Sequence, residues 1–194
     1  MSVKILNLLP VTGDVFTPEM FKYMRKYLEP DTEVQTYQIT SGPPSIECEY
    51  DEALAAPDVL RLAKQGEEDG FHAIFINCFG DPAVKAAREY VDIPVFGGFE
   101  PATHIALGLA DSISIVTVLP NVVPNVEGNV SKARLNGRIV SIRNVNIPVE
   151  ELQDHEKLCK ALAEQSLLAI REDGAQAIVM GCTGIVDVAE RIKH

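Results

Sequence analysis

Two cysteines stand at matching places in a stretch of sequence that occurs twice. Residues Asp69–Gly80 are echoed by residues Asp173–Gly184, with Asp, Gly, Ala, Ile, Cys and the final Gly agreeing position by position. Cys78 and Cys182 are therefore equivalent, at an offset of 104 residues. In each copy an apolar run predicts a buried strand, and the cysteine follows its end. The carboxyl ends of parallel strands form the edge of the sheet at which ligands bind.

A pair of such thiols can move a proton from one face of a carbon atom to the other. A thiolate removes the proton, a thiol on the opposite side delivers another, and the stereocentre is inverted. Coupled titration of a close pair favours the required state, in which one sulfur is deprotonated and its partner protonated. A helix that starts after each cysteine would stabilise the thiolate. The alternative is that both are buried structural cysteines, but their repetition at equivalent strand ends favours the functional interpretation.

The elements around the first cysteine predict alternating strands and helices. Strands are expected at residues 3–9, 33–39 and 93–96 and in the apolar run that precedes Cys78 within residues 69–80. Helices are expected to begin near Pro18, to cover residues 51–68 with an interruption at Pro57, and to cover residues 81–90 with Asp81 as N-cap. This order is typical of a doubly wound α/β unit.

The second half of the chain starts the same order again. Ile113–Pro120 resembles Val3–Pro10, residues 138–145 predict a strand, and residues 149–172 predict a long helix. The sequence therefore predicts two pseudo-symmetric doubly wound lobes with parallel sheets, residues 1–98 and 99–194, and an active site in the cleft between them. The second half ends in a predicted helix after Cys182. Either this lobe lacks the counterparts of the strand at 93–96 and of the helix after it, or, as we expect, they lie beyond the last residue.

Composition narrows the classes of partner. The 194 residues carry a net charge of −11, which argues against nucleic acid and against an anionic membrane surface. No apolar run approaches the roughly 20 residues of a membrane span. The four cysteines form no C-x-x-C pair and no dense framework, so we expect the reducing cytoplasm. No His, Cys and Asp spacing resembles a metal ligand set. A small-molecule substrate fits best, and a homo-oligomer is left open.

The segments Asn77–Pro82, Gly181–Gly184 and Gly42–Glu47 resemble motifs of the hydantoin and allantoin racemases in the aspartate/glutamate racemase superfamily. The resemblance covers essentially the whole chain. It implies racemisation without a cofactor, with one cysteine from each lobe as a proton-transferring group. The substrates it implies are 5-substituted hydantoins, allantoin or, in sister branches, amino acids.

The resemblance also implies which residues form the site. Cys78 and Cys182 would exchange the base and acid roles with the handedness of the substrate, and nearby backbone N–H groups would receive the charge of the enolate oxygen. The substrate-binding residues implied in this way are Pro10, Thr12, Ser45, Ile46, Phe79, Gly80, Thr117, Val118, Gly181, Thr183 and Gly184.

Two loops depart from the family pattern. Where the family typically has Asn-Pro-Asn-Thr, this chain has Leu9–Thr12, and where it often has two threonines followed by an arginine, this chain has Thr117–Asn121. Both departures remove polar groups, and they favour one alternative, a non-catalytic homologue that binds a small molecule. A decarboxylase or a cis–trans isomerase that uses one cysteine is a second alternative, which two matched cysteines argue against.

Overall fold

The chain divides into two compact units, and each unit has a parallel sheet of its own. The computed structural model describes residues 2–14, 18–185 and 188–192. Lobe 1 is Met1–Gly98 and lobe 2 is Phe99–His194. The predicted α/β class with two parallel-sheet lobes is confirmed. Within the described ranges, none of the helices combines the length and apolarity that a membrane span requires.

Lobe 1 contains a four-stranded sheet in the order β2-β1-β3-β4, and all of its strand pairs are parallel. The order reverses direction between β1 and β3, which makes that boundary the switch point of the sheet. Its elements are β1 (Val3–Leu9), α1 (Pro18–Arg25), β2 (Thr32–Gln38), α2 (Glu49–Glu68), β3 (Ala73–Ile76), α3 (Val84–Tyr90) and β4 (Val95–Phe96).

The core of lobe 1 lies on one face of the central strands. Leu6 and Leu8 of β1 and Ile74 and Ile76 of β3 alternate along their strands, so all four point to the same side. All four are fully buried, and Val59 of α2 belongs to the same cluster. Helix α2 runs past Pro57 without a break, and that proline is on the exposed side of the helix.

Lobe 2 contains a three-stranded parallel sheet in the order β6-β5-β7, with its switch point between β5 and β7. Val116, Leu158, Leu162 and Ile185 are at most 1% exposed and belong to its core. Its elements are α4 (Phe99–Leu107), β5 (Ile113–Thr117), α5 (Val123–Lys132), β6 (Ile139–Asn144), α6 (His155–Glu172) and β7 (Ala177–Met180), with short 3-10 turns at Pro120–Val122, Val149–Glu151, Thr183–Ile185 and Ala189–Ile192.

The pairing registers correct the expected alignment of the two halves. Leu8 pairs with Ile76 in lobe 1, and Val116 pairs with Met180 in lobe 2. Since Ile76 and Met180 are each two residues before a cysteine, Leu8 corresponds to Val116. The Leu-Pro ends of the first strands, which match in sequence, are therefore displaced by two residues in the structure.

Helix starts also differ from the prediction. Asp81 is not the N-cap of α3, because the helix begins at Val84 and Asp81 adopts a left-handed backbone with φ 58°. Proline at position 82 disfavours the helical conformation in the residue before it, which explains the later start. The predicted long helix at 149–172 is divided, and α6 begins after Asp154, whose side chain accepts the Lys157 N–H at 3.1 Å.

The helix expected after Cys182 is not formed in the part of this segment that the structure describes. Thr183–Ile185 and Ala189–Ile192 are 3-10 turns. The prediction of an α-helix was therefore wrong for those residues, and the groups that surround Cys182 belong to a tighter turn.

Candidate active site

Both cysteines lie at the switch point of their own sheet. Cys78 follows β3 after one intervening residue, and Cys182 follows β7 in the same way. β3 and β7 each pair with the central strand of their lobe, at the boundary where open α/β sheets form a ligand crevice. Both thiols are free of disulfide bonds and half-buried. Each lobe therefore presents one thiol at the place where its fold favours binding.

The backbone around Cys78 is held from several sides. The Asn77 N–H donates to the Leu8 carbonyl at 2.8 Å, which extends the β1–β3 pairing by one residue beyond the strand. The carbonyl of Cys78 then accepts the N–H groups of Asp81 at 3.3 Å and Gly98 at 3.2 Å. These bonds turn the chain sharply after the cysteine and tie the turn to the segment that follows β4.

Two adjacent glycines let that segment approach the Cys78 turn. A Cβ atom on Gly98 would lie 3.0 Å from the carbonyl oxygen of Cys78 and 3.1 Å from the Cα of Phe79. A Cβ atom on Gly97 would collide with the carboxylate of Asp81. The position of the Cys78 backbone therefore depends on the absence of a side chain at Gly98, whereas a side chain at Gly97 would displace the Asp81 carboxylate.

In lobe 2 a backbone donor points at the sulfur itself. The N–H of Gly184 donates to the Sγ of Cys182 at 3.3 Å, and the N–H of Ile185 donates to its carbonyl at 3.4 Å. Both donors belong to the 3-10 turn Thr183–Ile185. A hydrogen bond to sulfur favours the thiolate over the thiol, so this turn supplies the electrostatic effect that was expected from a helix.

The residue before each cysteine is bonded to a buried polar side chain of the central strand. The Asn77 side-chain amide donates to Oδ1 of Asn7 at 3.0 Å in lobe 1. In lobe 2 the hydroxyl of Thr117 donates to the carbonyl of Gly181 at 3.0 Å. Asn7 and Thr117 are both fully buried. The sequence analysis did not identify Asn7, although a polar residue inside the apolar run Val3–Leu9 was a visible signal.

The loops after β1 and β2 are joined to each other, and they are called the loop pair here (Pro10–Gly13 and Ser41–Ser45). Backbone N–H groups of Thr12 and Gly13 donate to the carbonyls of Pro43 at 2.8 Å and Pro44 at 3.2 Å. Gly13 has no room for a side chain, because a Cβ there would lie 2.5 Å from the Pro44 oxygen. The loop pair thus continues the β1–β2 contact past the strand ends.

Asp58 of α2 anchors the second member of the loop pair. Its carboxylate accepts the backbone N–H groups of Thr40 at 2.7 Å and Ser41 at 3.2 Å, and Arg61 donates to it at 2.5 Å. The hydrogen bond from Arg61 is the main cause of a lowered pKa at Asp58; burial opposes it, and the two backbone donors add to it. The sequence analysis also missed this residue.

The structure brings the predicted site residues together within each lobe. Around the strand ends of lobe 1, Thr12 is exposed, Ser45, Ile46 and Gly80 are half-buried, and Pro10 and Phe79 are buried. Around those of lobe 2, Thr183 and Gly184 are half-buried, and Thr117, Val118 and Gly181 are buried. Their contact with a substrate stays a prediction.

Two other features lie away from these strand ends. An open groove of about 580 Å³ is bounded by Phe21, Arg25 and the first half of β2, at the opposite end of that strand from the loop pair. Over the ranges 2–14, 18–185 and 188–192, no three His, Cys, Asp or Glu side chains are grouped so that they could hold a metal ion.

Comparison with known proteins identifies the family. The family model described as Asp/Glu/Hydantoin racemase matches residues 5–194. A hydantoin racemase from a Pseudomonas species is 34% identical over 194 residues, which cover all of this chain and 77% of that protein. A hydantoin racemase from Rhizobium meliloti is 36% identical over 163 residues, 84% of this chain and 68% of that protein.

A solved structure agrees with these relatives. Allantoin racemase from Klebsiella pneumoniae superposes with a TM-score of 0.92 and 34% sequence identity, over 98% of this chain and 78% of that chain. The enzyme class predicted from the sequence, an isomerase of the racemase type, is confirmed. The chain belongs to the Asp/Glu/Hydantoin racemase family.

Proposed function

We propose that this chain inverts the ring stereocentre of 5-substituted hydantoins or of allantoin, with Cys78 and Cys182 as the two proton-transferring groups. The observation that carries the proposal is the pair of cysteines outside any disulfide, one at the switch point of each sheet. The names of the relatives, hydantoin racemase and allantoin racemase, support the substrate class. In the proposed reaction the two thiols act on the same ring carbon from opposite faces.

The chemistry needs only proton transfer. The C5–H bond of a hydantoin is acidified by the neighbouring carbonyl, so a thiolate can remove the proton. That C–H bond breaks as an S–H bond forms, and the electron pair moves onto the carbonyl oxygen as an enolate. The thiol on the opposite face then gives its proton to the same carbon. The product is the other enantiomer, the two sulfurs have exchanged protonation states, and nothing is oxidised or lost.

Backbone donors next to the cysteines suit the charge that develops on the enolate oxygen. The proposed donors are the N–H groups of Phe79 and Gly80 in lobe 1 and of Thr183 in lobe 2. The Gly184 N–H already donates to Cys182, and this bond favours that sulfur as the resting thiolate. Donors fixed in turns need no reorganisation during the reaction, which is why they stabilise a transition state well.

The other proposed contacts come from the two sets of loops. Thr12, Ser45 and Ile46 are on or next to the loop pair and would contact the substituent on the ring. Pro10, Thr117, Val118 and Gly181 are buried, so their proposed role is to shape the wall behind the ring and the cysteines.

Deuterium exchange tests the proposal directly. Each enantiomer of 5-isopropylhydantoin and of allantoin is incubated with the protein in D2O, with loss of the C5–H resonance and chiral composition followed together. We expect exchange and racemisation of at least one of these compounds. Cys78→Ser and Cys182→Ser should each abolish racemisation, and each should keep the exchange of one enantiomer. Cys159→Ser, a matched loss of a half-buried thiol in α6, should leave the rate unchanged.

The same two cysteine variants, with further measurements, separate the racemase from the alternative functions. Full racemisation in either Cys78→Ser or Cys182→Ser would contradict the two-thiol mechanism. Release of CO2 from an aryl-substituted malonate, surviving one of the two substitutions, would indicate a decarboxylase. Binding of a hydantoin without any exchange would indicate a homologue that has lost turnover.

A further inference from the structure

The central strand of each lobe carries a buried polar side chain, next to apolar neighbours, that is bonded to the segment holding the cysteine. Asn7 lies between Leu6 and Leu8 in β1, and Thr117 follows Val116 at the end of β5. Both are fully buried. Burial of an amide or a hydroxyl costs free energy unless the group is hydrogen-bonded, so the partners of these two side chains show what their presence achieves. In both lobes the partner is the residue directly before the cysteine.

In lobe 1 a chain of side-chain hydrogen bonds crosses three strands. The Asn77 amide donates to Oδ1 of Asn7 at 3.0 Å, and the Asn7 amide donates to Oγ1 of Thr36 at 3.1 Å. Asn77 is itself only 7% exposed. Its backbone N–H is already bonded to Leu8, so the residue is fixed at both its backbone and its side chain. Cys78 extends from a residue that has little freedom to rotate.

In lobe 2 the residue before the cysteine is also fixed by hydrogen bonds, although it is Gly181, which has no side chain. The Thr117 hydroxyl donates to the Gly181 carbonyl at 3.0 Å, and the Gly181 N–H donates to Val116 at 2.8 Å. A Cβ atom on Gly181 would lie 2.8 Å from Cγ2 of Ile115 and 3.1 Å from the Cβ of Thr117. The Gly181 carbonyl belongs to the peptide group that leads into Cys182. Its hydrogen bond therefore fixes the plane from which the Cys182 side chain extends.

We propose that Asn7 and Thr117 are positioning residues, each of which sets the placement of one reactive thiol. The inference rests on the proposed racemase function, in which both sulfurs must meet opposite faces of one carbon. Rotation of the peptide group before a cysteine moves its sulfur sideways, and a misplacement of about 1 Å can cost about 100-fold in rate. Because the Thr117 hydroxyl donates its hydrogen bond to the Gly181 carbonyl, Thr117 influences the substrate through Cys182 and not by direct contact.

A positioning residue that affects only one thiol should affect the exchange of only one enantiomer. In a two-base mechanism each sulfur removes the proton from only one of the two hands of the substrate. Loss of the Thr117 bond should therefore slow exchange of the enantiomer that Cys182 deprotonates, and loss of the Asn7 bond should slow exchange of the other. General loosening of the fold would slow both exchanges alike.

Isosteric variants isolate the two bonds. Thr117→Val keeps the shape of the side chain and removes the hydroxyl, whereas Thr117→Ser restores it. Asn7→Leu removes the amide and keeps the number of heavy atoms and the branching of the side chain. The matched control in lobe 2 is Ser114→Ala, which removes another fully buried hydroxyl of β5, bonded to the Ser141 carbonyl at 3.0 Å. The control in lobe 1 is Thr36→Ser, which keeps the hydroxyl that accepts from Asn7 and so leaves both side-chain bonds of Asn7 in place.

Two measurements on the full chain test the proposal. With 5-isopropylhydantoin or allantoin, we expect Thr117→Val to lower kcat for exchange of one enantiomer by about 10- to 100-fold, with KM changed less than about 2-fold. Asn7→Leu should do the same for the opposite enantiomer. Thr117→Ser should recover most of the loss, and both controls should stay near the unsubstituted protein.

The second measurement needs no substrate. Alkylation of each cysteine by iodoacetamide, quantified by peptide mass spectrometry at one fixed pH, should change at Cys182 in Thr117→Val and at Cys78 in Asn7→Leu, by at least about 3-fold. Equal changes at both thiols, or the same change in Ser114→Ala, would overturn the positioning role. This result is separate from the proposed function, which fails instead if racemisation survives Cys78→Ser or Cys182→Ser.

Discussion

Asp58 combines burial, charge and several donors at one carboxylate. It is 8% exposed, and its oxygens accept two backbone N–H groups, the Thr40 hydroxyl and the Arg61 guanidinium. These donors stabilise the ionised form and lower the pKa of Asp58. Thr40 and Ser41 lead directly into the loop pair. The charge on one helix residue therefore holds a loop that is proposed to contact the substrate.

We expect Asp58→Asn to lower the free energy of unfolding by about 1–3 kcal/mol at pH 7, because hydrogen bonds to a charged acceptor are lost. A carboxyl with a lowered pKa stabilises the fold above its unfolded pKa of about 4 and loses that contribution as the pH falls further. The difference between variant and parent should accordingly shrink below about pH 4. Urea denaturation at several pH values measures it. Asp111→Asn, at a side chain that is 97% exposed, is the control and should change stability little.

Gly98 shows how a residue without a side chain can affect the placement of Cys78, one of the two proposed catalytic groups. We expect Gly98→Ala to push the Cys78 turn outward, since the new Cβ would meet backbone atoms of Cys78 and Phe79 that cannot rotate away. Racemisation should fall by at least about 10-fold, and alkylation of Cys78 should change while that of Cys182 does not.

Gly128→Ala is the matched control for that substitution. Gly128 is inside α5 with nothing within 4 Å of its added Cβ, so alanine there should stabilise the helix by about 0.5–1 kcal/mol. Unchanged racemisation and unchanged thiol reactivity in Gly98→Ala would show that the Cys78 turn can shift without consequence.

At the scale of elements, a salt bridge in lobe 2 connects β6 to the turn before β7. Arg143 donates to both carboxylate oxygens of Asp173, at 2.6 and 2.9 Å, and to Glu172 at 3.0 Å. The Arg143 guanidinium, with help from the Ser141 hydroxyl, lowers the pKa of Asp173 to about 2. The side chains of Arg143 and Asp173 are only about one-fifth exposed, so solvent screens the pair less than it screens a surface ion pair.

We expect Arg143→Gln to destabilise the protein by about 1–2 kcal/mol at neutral pH. A lowered pKa means that the contribution is complete above about pH 4 and disappears as the pH falls towards 2. The two proteins should therefore converge in stability across that interval. Lys157→Gln breaks a pair whose side chains are 54% and 57% exposed, and it should cost less than about 0.5 kcal/mol. Equal costs at the two sites would contradict the importance of burial here.

Strand positions could be predicted from the sequence, because a buried parallel strand is a continuous apolar run. Within the described residues a strand is present at each place where one was expected, and the largest difference is β4, which is only Val95–Phe96. Helix ends were less predictable, since they depend on local turn geometry. The left-handed backbone at Asp81 and the 3-10 turn after Cys182 have no periodicity that would reveal them.

The candidate site divides in the same way. Cys78 and Cys182 could be found from the sequence because they occupy the same position in two similar segments, Asp69–Gly80 and Asp173–Gly184. The role of Asp58 could not be found from the sequence. Its backbone partners in the loop, Thr40 and Ser41, are 18 and 17 residues away, and nothing in an amphipathic helix distinguishes one carboxylate from another. Gly98 is a similar case, because its proximity to Cys78 exists only in the folded chain.

At the scale of the whole molecule, the proposal requires that one chain supplies both thiols. Each lobe has its own sheet and its own core, and each contributes one cysteine to the proposed reaction. Residues that act as a unit are strongly non-additive, since removing either one already stops the reaction. The double variant Cys78→Ser with Cys182→Ser should therefore racemise no more slowly than either single variant.

Mixing the single variants tests which chain each thiol comes from. If one chain holds a complete site, a mixture of Cys78→Ser and Cys182→Ser proteins contains no chain with both sulfurs, so racemisation should stay absent at every ratio. Sites built from two copies would instead recover activity in mixed assemblies, with a maximum near equal amounts. The mixture should be unfolded and refolded together before the assay, so that subunits exchange if the chain is an oligomer. Recovery of activity would contradict a complete site within one chain while leaving the two-thiol chemistry in place.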